Sequence, residues 1–167
     1  MTEFTDKIAL VNSAQHLYLR KLSEPRDNSL RIVVQEAISN RAKAAPLEIP
    51  GSPGKFFDGQ AWPIESTDSC RTFVLHWHRY VAYLVTEEGV GSCGKRDDEV
   101  FTGRLVRLYT KSHMLDHIAR DTGGHFEDLQ HYKVMCLNHF IDVVSTKLPT
   151  VEIIEGGPEL REPTAVM

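Results

Sequence analysis

The sequence predicts a single-domain α+β protein with a mainly antiparallel sheet of five to seven strands and one or two helices. Three observations support this class: apolar stretches that alternate at period two, glycine- and proline-rich segments between them, and one segment with helical spacing around Leu115. The 167 residues are near the usual size of one domain, without internal repeats. We expect one domain over residues 1–154 and a disordered tail over residues 155–167, which are weakly hydrophobic.

The first element lies between residues 5 and 22, and two interpretations of it stay open. Thr5 with Asp6 is typical of a helix cap, and apolar residues follow at helical spacing, so we favour a helix. A strand over residues 16–22 is the alternative, with Asn28 and Ser29 as hairpin turn residues.

Residues 30–38 predict a half-buried strand. Leu30, Ile32 and Val34 share one side, because successive strand residues point to opposite faces. Glu36 is the polar residue on that apolar side, and we expect it near a strand end that water reaches.

Residues 40–71 predict a long irregular connection with one short strand at residues 46–49. The segment contains three large aromatic residues, Phe56, Phe57 and Trp62. Such residues either anchor a loop to the core or form part of a binding surface, and both interpretations stay open.

The stretch VLHWHRYVAYLV belongs to residues 72–86, which predict one long strand or two continuous ones. A polar, glycine-rich loop follows, and residues 101–109 predict the next strand, antiparallel to the first. Ser112 is a good N-cap for a helix over residues 114–121, which Gly123–Gly124 would end. Residues 131–145 predict the last long strand, and residues 151–154 a short one.

Composition excludes several classes of function. The net charge is −4 and the basic residues are scattered, whereas nucleic-acid binding needs a concentration of Lys and Arg. No apolar run is long enough for a bilayer, and the N-terminus lacks the features of a signal peptide. Three widely spaced cysteines disfavour a disulfide framework. We therefore expect a cytoplasmic protein that binds neither nucleic acid nor membrane.

Eight histidines are the unusual feature of the composition, and two of them, His76 and His78, lie one residue apart. On a continuous strand they would share a face with Tyr80, while Trp77 lies on the stronger core face. The pair is similar to half of the metal site of cupin barrels, but it lacks the glutamate that follows in that family.

A metal site would need a third ligand, which His139 or the pair His113 and His117 could supply through folding. His139 follows Asn138 inside an apolar stretch, so it is a polar insertion that needs a partner or water. We favour a structural or interfacial role for the histidines, with no cofactor. A divalent metal held by His76, His78 and His139 is the alternative.

No sequence motif identifies an enzyme. Ser92 lacks the strand–turn–helix context of a nucleophile elbow, and no histidine partner for Cys93 is evident. The glycines at 89, 91 and 94 match a dinucleotide pattern by letter only, because no helix or βαβ unit surrounds them.

The sequence therefore favours a small, non-catalytic binding or interaction protein. The expected binding surface is the strand face of His76, His78 and Tyr80, or the aromatic loop that holds Trp62, and the expected partner is a protein or a second copy. The mild acidity fits an inhibitor-like or toxin-neutralising role against a basic partner. A metal-dependent enzyme centred on His76 and His78 is the alternative.

Overall fold

The computed structural model describes residues 2–43, 45–46, 60–91 and 98–155. Two five-stranded antiparallel sheets and two helices longer than two turns confirm the predicted α+β class. Within the described residues, no helix is long and apolar enough to cross a membrane. The residues of the predicted tail after Glu155 lie outside the described part of the chain.

The elements follow one another along the chain in this order: α1 Thr2–Ser13, β1 His16–Ser23, β2 Leu30–Ser39, a 3₁₀ turn Arg41–Lys43, β3 Ala45–Pro46, β4 Gln60–Ala61, β5 Ile64–Glu65, β6 Thr72–Trp77, β7 Ala82–Glu87, α2 Glu88–Gly91, β8 Val100–Thr102, β9 Val106–Lys111, α3 His113–Asp121, β10 Gln130–Met135, β11 His139–Ser145 and β12 Thr150–Ile154. The first large sheet has the order β1-β2-β6-β12, with β5 beside β2. The second has the order β7-β11-β10-β9-β8, and β3 pairs with β4 alone.

One core lies between the two large sheets. Phe73, Leu75 and Trp77 of β6 are fully buried, as are the inward residues of β10 and β11 in the second sheet. The rings of Trp77 and Tyr132 meet edge to face at 5.6 Å between centroids, so the facing sheets touch through large aromatic side chains.

The strands outnumber the expected five to seven partly because each of three predicted long strands is divided into two. The prediction of one strand, or two continuous ones, over residues 72–86 is wrong: β6 and β7 belong to different sheets. Residues 101–109 and 131–145 likewise form the pairs β8–β9 and β10–β11. Side-chain periodicity is the same on both sides of a tight turn, so it does not show where a strand reverses.

Both interpretations of residues 5–22 hold in part. The helix α1 ends at Ser13, and the chain continues as β1, whose residues 16–23 pair with β2. Asn28, a predicted turn residue, takes a positive φ of 57° between the two strands. The predicted strand over residues 30–38 is confirmed as part of β2.

Asn12 connects α1 to the second sheet. Its Oδ1 accepts hydrogen bonds from the backbone N–H groups of Arg104, Leu105 and Val106 at 3.0, 2.7 and 2.9 Å. The turn before β9 brings these donors together, and Gly103 adopts a φ of +89° there. A Cβ on Gly103 would lie 2.1 Å from the Val106 carbonyl oxygen, so the turn requires glycine.

We expect Asn12→Ala to lower the free energy of unfolding by about 2–4 kcal/mol, because three backbone donors lose their acceptor. Urea unfolding followed by tryptophan fluorescence measures the change. Asn12→Asp keeps the acceptor oxygen and loses only the bond from Nδ2 to the Val106 carbonyl oxygen at 3.3 Å, so as the matched control it should lose less stability than Asn12→Ala. Equal losses in both variants would contradict this role of the side-chain oxygen.

Candidate functional site

The histidines of the VLHWHRYVAYLV stretch meet, although they do not share a strand. His76 lies in β6 opposite Arg31 of β2 and Thr150 of β12, whereas His78 follows the end of that strand. Their rings are 4.3 Å apart between centroids. The expected face of His76, His78 and Tyr80 is therefore wrong as a strand face, because the chain bends after Trp77.

Tyr80 lies with a different group of side chains. Its hydroxyl donates to Glu24 Oε1 at 3.0 Å, and the hydroxyl of Tyr83 donates to the same oxygen at 2.8 Å. Burial raises the pKa of Tyr80, and the bond to Glu24 raises that of Tyr83.

His76 is partly buried and has two arginine side chains nearby. Burial and the nearby side chains of His78, Arg31 and Arg26 lower the pKa of its imidazole. His139 of the metal alternative lies in the other sheet, opposite Glu87. Among the described residues, no group of three or more His, Cys, Asp or Glu side chains has an arrangement that could hold a metal ion.

The aromatic loop is described only in part. Phe56 and Phe57 lie outside the described residues, so their expected role in binding is untested. Trp62 is 47% exposed, and the guanidinium of Arg41 lies 5.6 Å from its ring centroid. This indole is therefore accessible to a partner.

A cavity of about 540 Å³ lies between the outer face of the second sheet and α3. We call it the α3 cavity. Its volume is in the range that small-molecule sites occupy in proteins. Strands β7, β10 and β11, helix α3 and the residue before β8 supply its lining: Ala82, Tyr83, Leu84, Thr86, Glu99, His113, Met114, His117, Ile118, His131, Lys133 and Asp142.

Three buried polar side chains form the floor of the α3 cavity. His131 and Lys133 are two residues apart on β10, so they point to the same face, and Asp142 of β11 lies opposite Lys133. Lys133 Nζ lies 3.2 Å from Asp142 Oδ2, and His131 Nε2 lies 2.8 Å from Oδ1. The three residues are 2–5% exposed.

Asp142 is held as a carboxylate. Burial would raise its pKa, but the hydrogen bond from His131 and the charge of Lys133 outweigh burial and hold the pKa below the ordinary value. An ionised carboxylate only accepts hydrogen bonds, so Nε2 of His131 donates to it. In the neutral ring Nδ1 is then an acceptor, and the hydroxyl of Ser112, 2.8 Å away, donates to it.

Ser112, His131 and Asp142 thus repeat the residue types and distances of a hydrolase triad, without its accessibility. Ser112 is 1% exposed and does not line the cavity. Its Oγ also accepts the N–H of Leu115 at 3.1 Å, which makes it the predicted N-cap of α3. This chain of hydrogen bonds anchors the helix to the sheet.

Apolar side chains and a charged rim complete the α3 cavity. Leu84, Met114 and Ile118 supply apolar walls. At the rim, His113 Nε2 is 3.0 Å from Asp98 Oδ1, and His117 Nε2 is 3.5 Å from Asp121 Oδ2. Carboxylates therefore stand close to both exposed imidazoles.

Sequence reasoning missed Lys133 and His131. Asp142 is recognisable as a polar residue in an apolar strand, but the sequence pointed to His139 rather than to these two residues. The alternation of His131 and Lys133 with Tyr132 and Val134 was the available signal, since it places two polar side chains on one strand face.

The chain matches no protein-family model, and it matches no curated protein and no solved structure. The arrangement of its own residues therefore carries the inference of function.

We expect Asp142→Asn and Lys133→Met each to lower the free energy of unfolding by about 3–5 kcal/mol, because each leaves a buried charge without its partner. The variant with both substitutions should be closer to wild type than either single variant, since neither charge remains. Chemical denaturation of the four proteins measures this coupling. Additive losses would contradict it.

The same carboxylate should make stability depend on pH. Its pKa is lower in the folded than in the unfolded chain, where it is about 3.9, so its contribution is complete above that value. The contribution is lost as the pH falls through the folded-state pKa. Urea unfolding between neutral and acidic pH should show a smaller loss for Asp142→Asn than for wild type.

We expect no labelling of Ser112 by a serine-directed organophosphonate, because its hydroxyl is buried and already bonded. Ser112→Ala should lower the free energy of unfolding by about 1–2 kcal/mol through loss of the cap. Mass spectrometry of the treated protein measures the labelling, and chemical denaturation measures the change in stability. Selective labelling of Ser112 would instead indicate a nucleophile.

Proposed function

We propose that the protein is a non-catalytic binding protein that takes a small amphipathic molecule into the α3 cavity. The observation that carries this proposal is the buried ion pair of Lys133 and Asp142 on the floor of a cavity of about 540 Å³. Buried ion pairs contribute little to stability compared with apolar residues of similar volume. Their presence below a cavity favours a role in recognition.

The chemistry of the lining favours one class of ligand. An ammonium group has three donor hydrogens, and Asp142 Oδ2 occupies one of those of Lys133. A ligand oxygen can accept another, while its apolar part contacts Leu84, Met114 and Ile118. The ligand is therefore a mostly apolar molecule with a carboxylate or carbonyl end.

The rim disfavours a more highly charged ligand. Glu99 lines the cavity, and Asp98 and Asp121 stand beside its rim imidazoles. These carboxylates repel a phosphate group, whereas a single carboxylate that reaches Lys133 meets less opposing charge. Arg31 and Arg26 near His76 do not favour the metal-enzyme alternative, since a bound cation would meet repulsion from them.

Octanoate is the probe for this proposal, and octanol and octyl phosphate are its comparisons. Isothermal titration calorimetry should give the tightest binding for octanoate and the weakest for octyl phosphate. The Lys133→Met/Asp142→Asn variant should bind octanoate roughly tenfold or more weakly, because hydrogen bonds to charged groups are worth about 1.5–3 kcal/mol.

Lys111→Met is the matched control, since Lys111 is an exposed lysine of the same sheet that does not line the cavity. It should bind octanoate as wild type does. The proposal is overturned if none of the three probes binds, or if the double variant binds octanoate as well as wild type.

A further inference from the structure

β7 is an outer strand of the second sheet and is paired on one side only, with β11, among the described residues. Two consecutive residues, Leu84 and Val85, are 55% and 39% exposed although they point to opposite faces of the strand. An edge strand presents unpaired backbone N–H and C=O groups that can bind another strand.

The other outer strands carry features that oppose such pairing. β8 has three residues and a register shift between Val100 and Phe101. β1 has a shift between Leu19 and Lys21, and Lys21 adds a charge. β12 follows Pro149 and has the exposed Glu152 at its centre. Bulges, charges and short length are how proteins protect sheet edges.

β7 lacks the protective features of these other outer strands over its first five residues. Its six residues, AYLVTE, keep one register against β11 without a shift, and they contain no proline and no charge before Glu87. We propose that β7 is a self-association surface, on which the β7 strand of a second copy of this chain pairs antiparallel across a two-fold axis.

The exposed charges at the two ends of β7 support a second copy as the occupant. Arg79 precedes the strand, and Glu87 and Glu88 lie at its other end; all three are exposed. An antiparallel arrangement brings the beginning of each strand to the end of the other, so each Arg79 approaches the two glutamates of the second copy. Such complementarity favours one orientation over the other.

The same arrangement covers the exposed apolar side chains. A two-fold axis through Leu84 places this residue beside Leu84 of the second copy, and Val85 beside Tyr83. Residues directly opposite on antiparallel strands contact one another, and apolar pairs stabilise the sheet. Interfaces below about 1,200 Å² belong to weak complexes, so two six-residue strands should give a dimer that dissociates on dilution.

Analytical ultracentrifugation over a wide range of concentrations tests the proposal. Wild type should show a reversible monomer–dimer equilibrium. Val85→Lys should raise the dissociation constant roughly tenfold or more, because each ammonium group would lie opposite Tyr83 of the second copy and diagonally across from the other ammonium group. Val100→Lys on β8 is the matched control for an exposed valine on the opposite edge, and it should dimerise as wild type does.

A charge exchange tests the orientation. Arg79→Glu alone and Glu87→Arg/Glu88→Arg alone should each be monomeric, and an equal mixture of the two should form heterodimers, since all facing charges are then opposite. Circular dichroism checks that each variant is folded. The proposal is overturned if wild type stays monomeric throughout, if Val100→Lys weakens the dimer as much as Val85→Lys, or if the mixture does not associate.

Discussion

The chain passes from the first sheet to the second within the four residues between Trp77 and Ala82, and the rest of the structure depends on this crossing. Backbone hydrogen bonds hold it on both sides: Tyr80 N–H donates to Asn28 O at 2.9 Å, and Val81 N–H donates to Val144 O at 2.8 Å. One continuous apolar stretch thereby supplies a central strand to one sheet and an outer strand to the other, and the two sheets enclose its large side chains.

The crossing also connects the α3 cavity with the sheet edge. Because β7 starts directly after it, Leu84 lies both on the cavity wall and on the exposed edge. The two proposals concern neighbouring atoms and are tested by different variants: a ligand contacts the outer face of β7, whereas a second copy pairs with its outer edge. A second copy would extend the cavity wall beyond Leu84, so ligand binding and self-association would then influence each other.

The sequence predicted local structure better than long-range arrangement. Side-chain chemistry and spacing predicted three local features that the structure confirms: Ser112 as an N-cap, Asn28 as a turn residue and the apolar side of β2. The reversal at Asn138 was missed, because its function appears only after folding: its side chain bonds both backbone groups of Leu19, at 2.9 and 3.2 Å. The same limit applied to the site: the alternation that places His131 and Lys133 on one face went unused, and it does not show which strand lies beside them.

The buried lysine is the feature of the α3 cavity that the anchoring of the helix does not explain. The series of hydrogen bonds that runs from Leu115 N–H through Ser112 and His131 to Asp142 needs only one acceptor oxygen at its end. An asparagine at this position would supply that oxygen without a charge, and Lys133 could then be an apolar residue that packs on Phe140. An ion pair in place of this simpler arrangement adds a desolvation penalty that folding alone does not require. A ligand oxygen that accepts from Lys133 gives the ammonium group a use beyond the fold, and for this reason we place recognition at the floor of the cavity rather than at its exposed histidine rim.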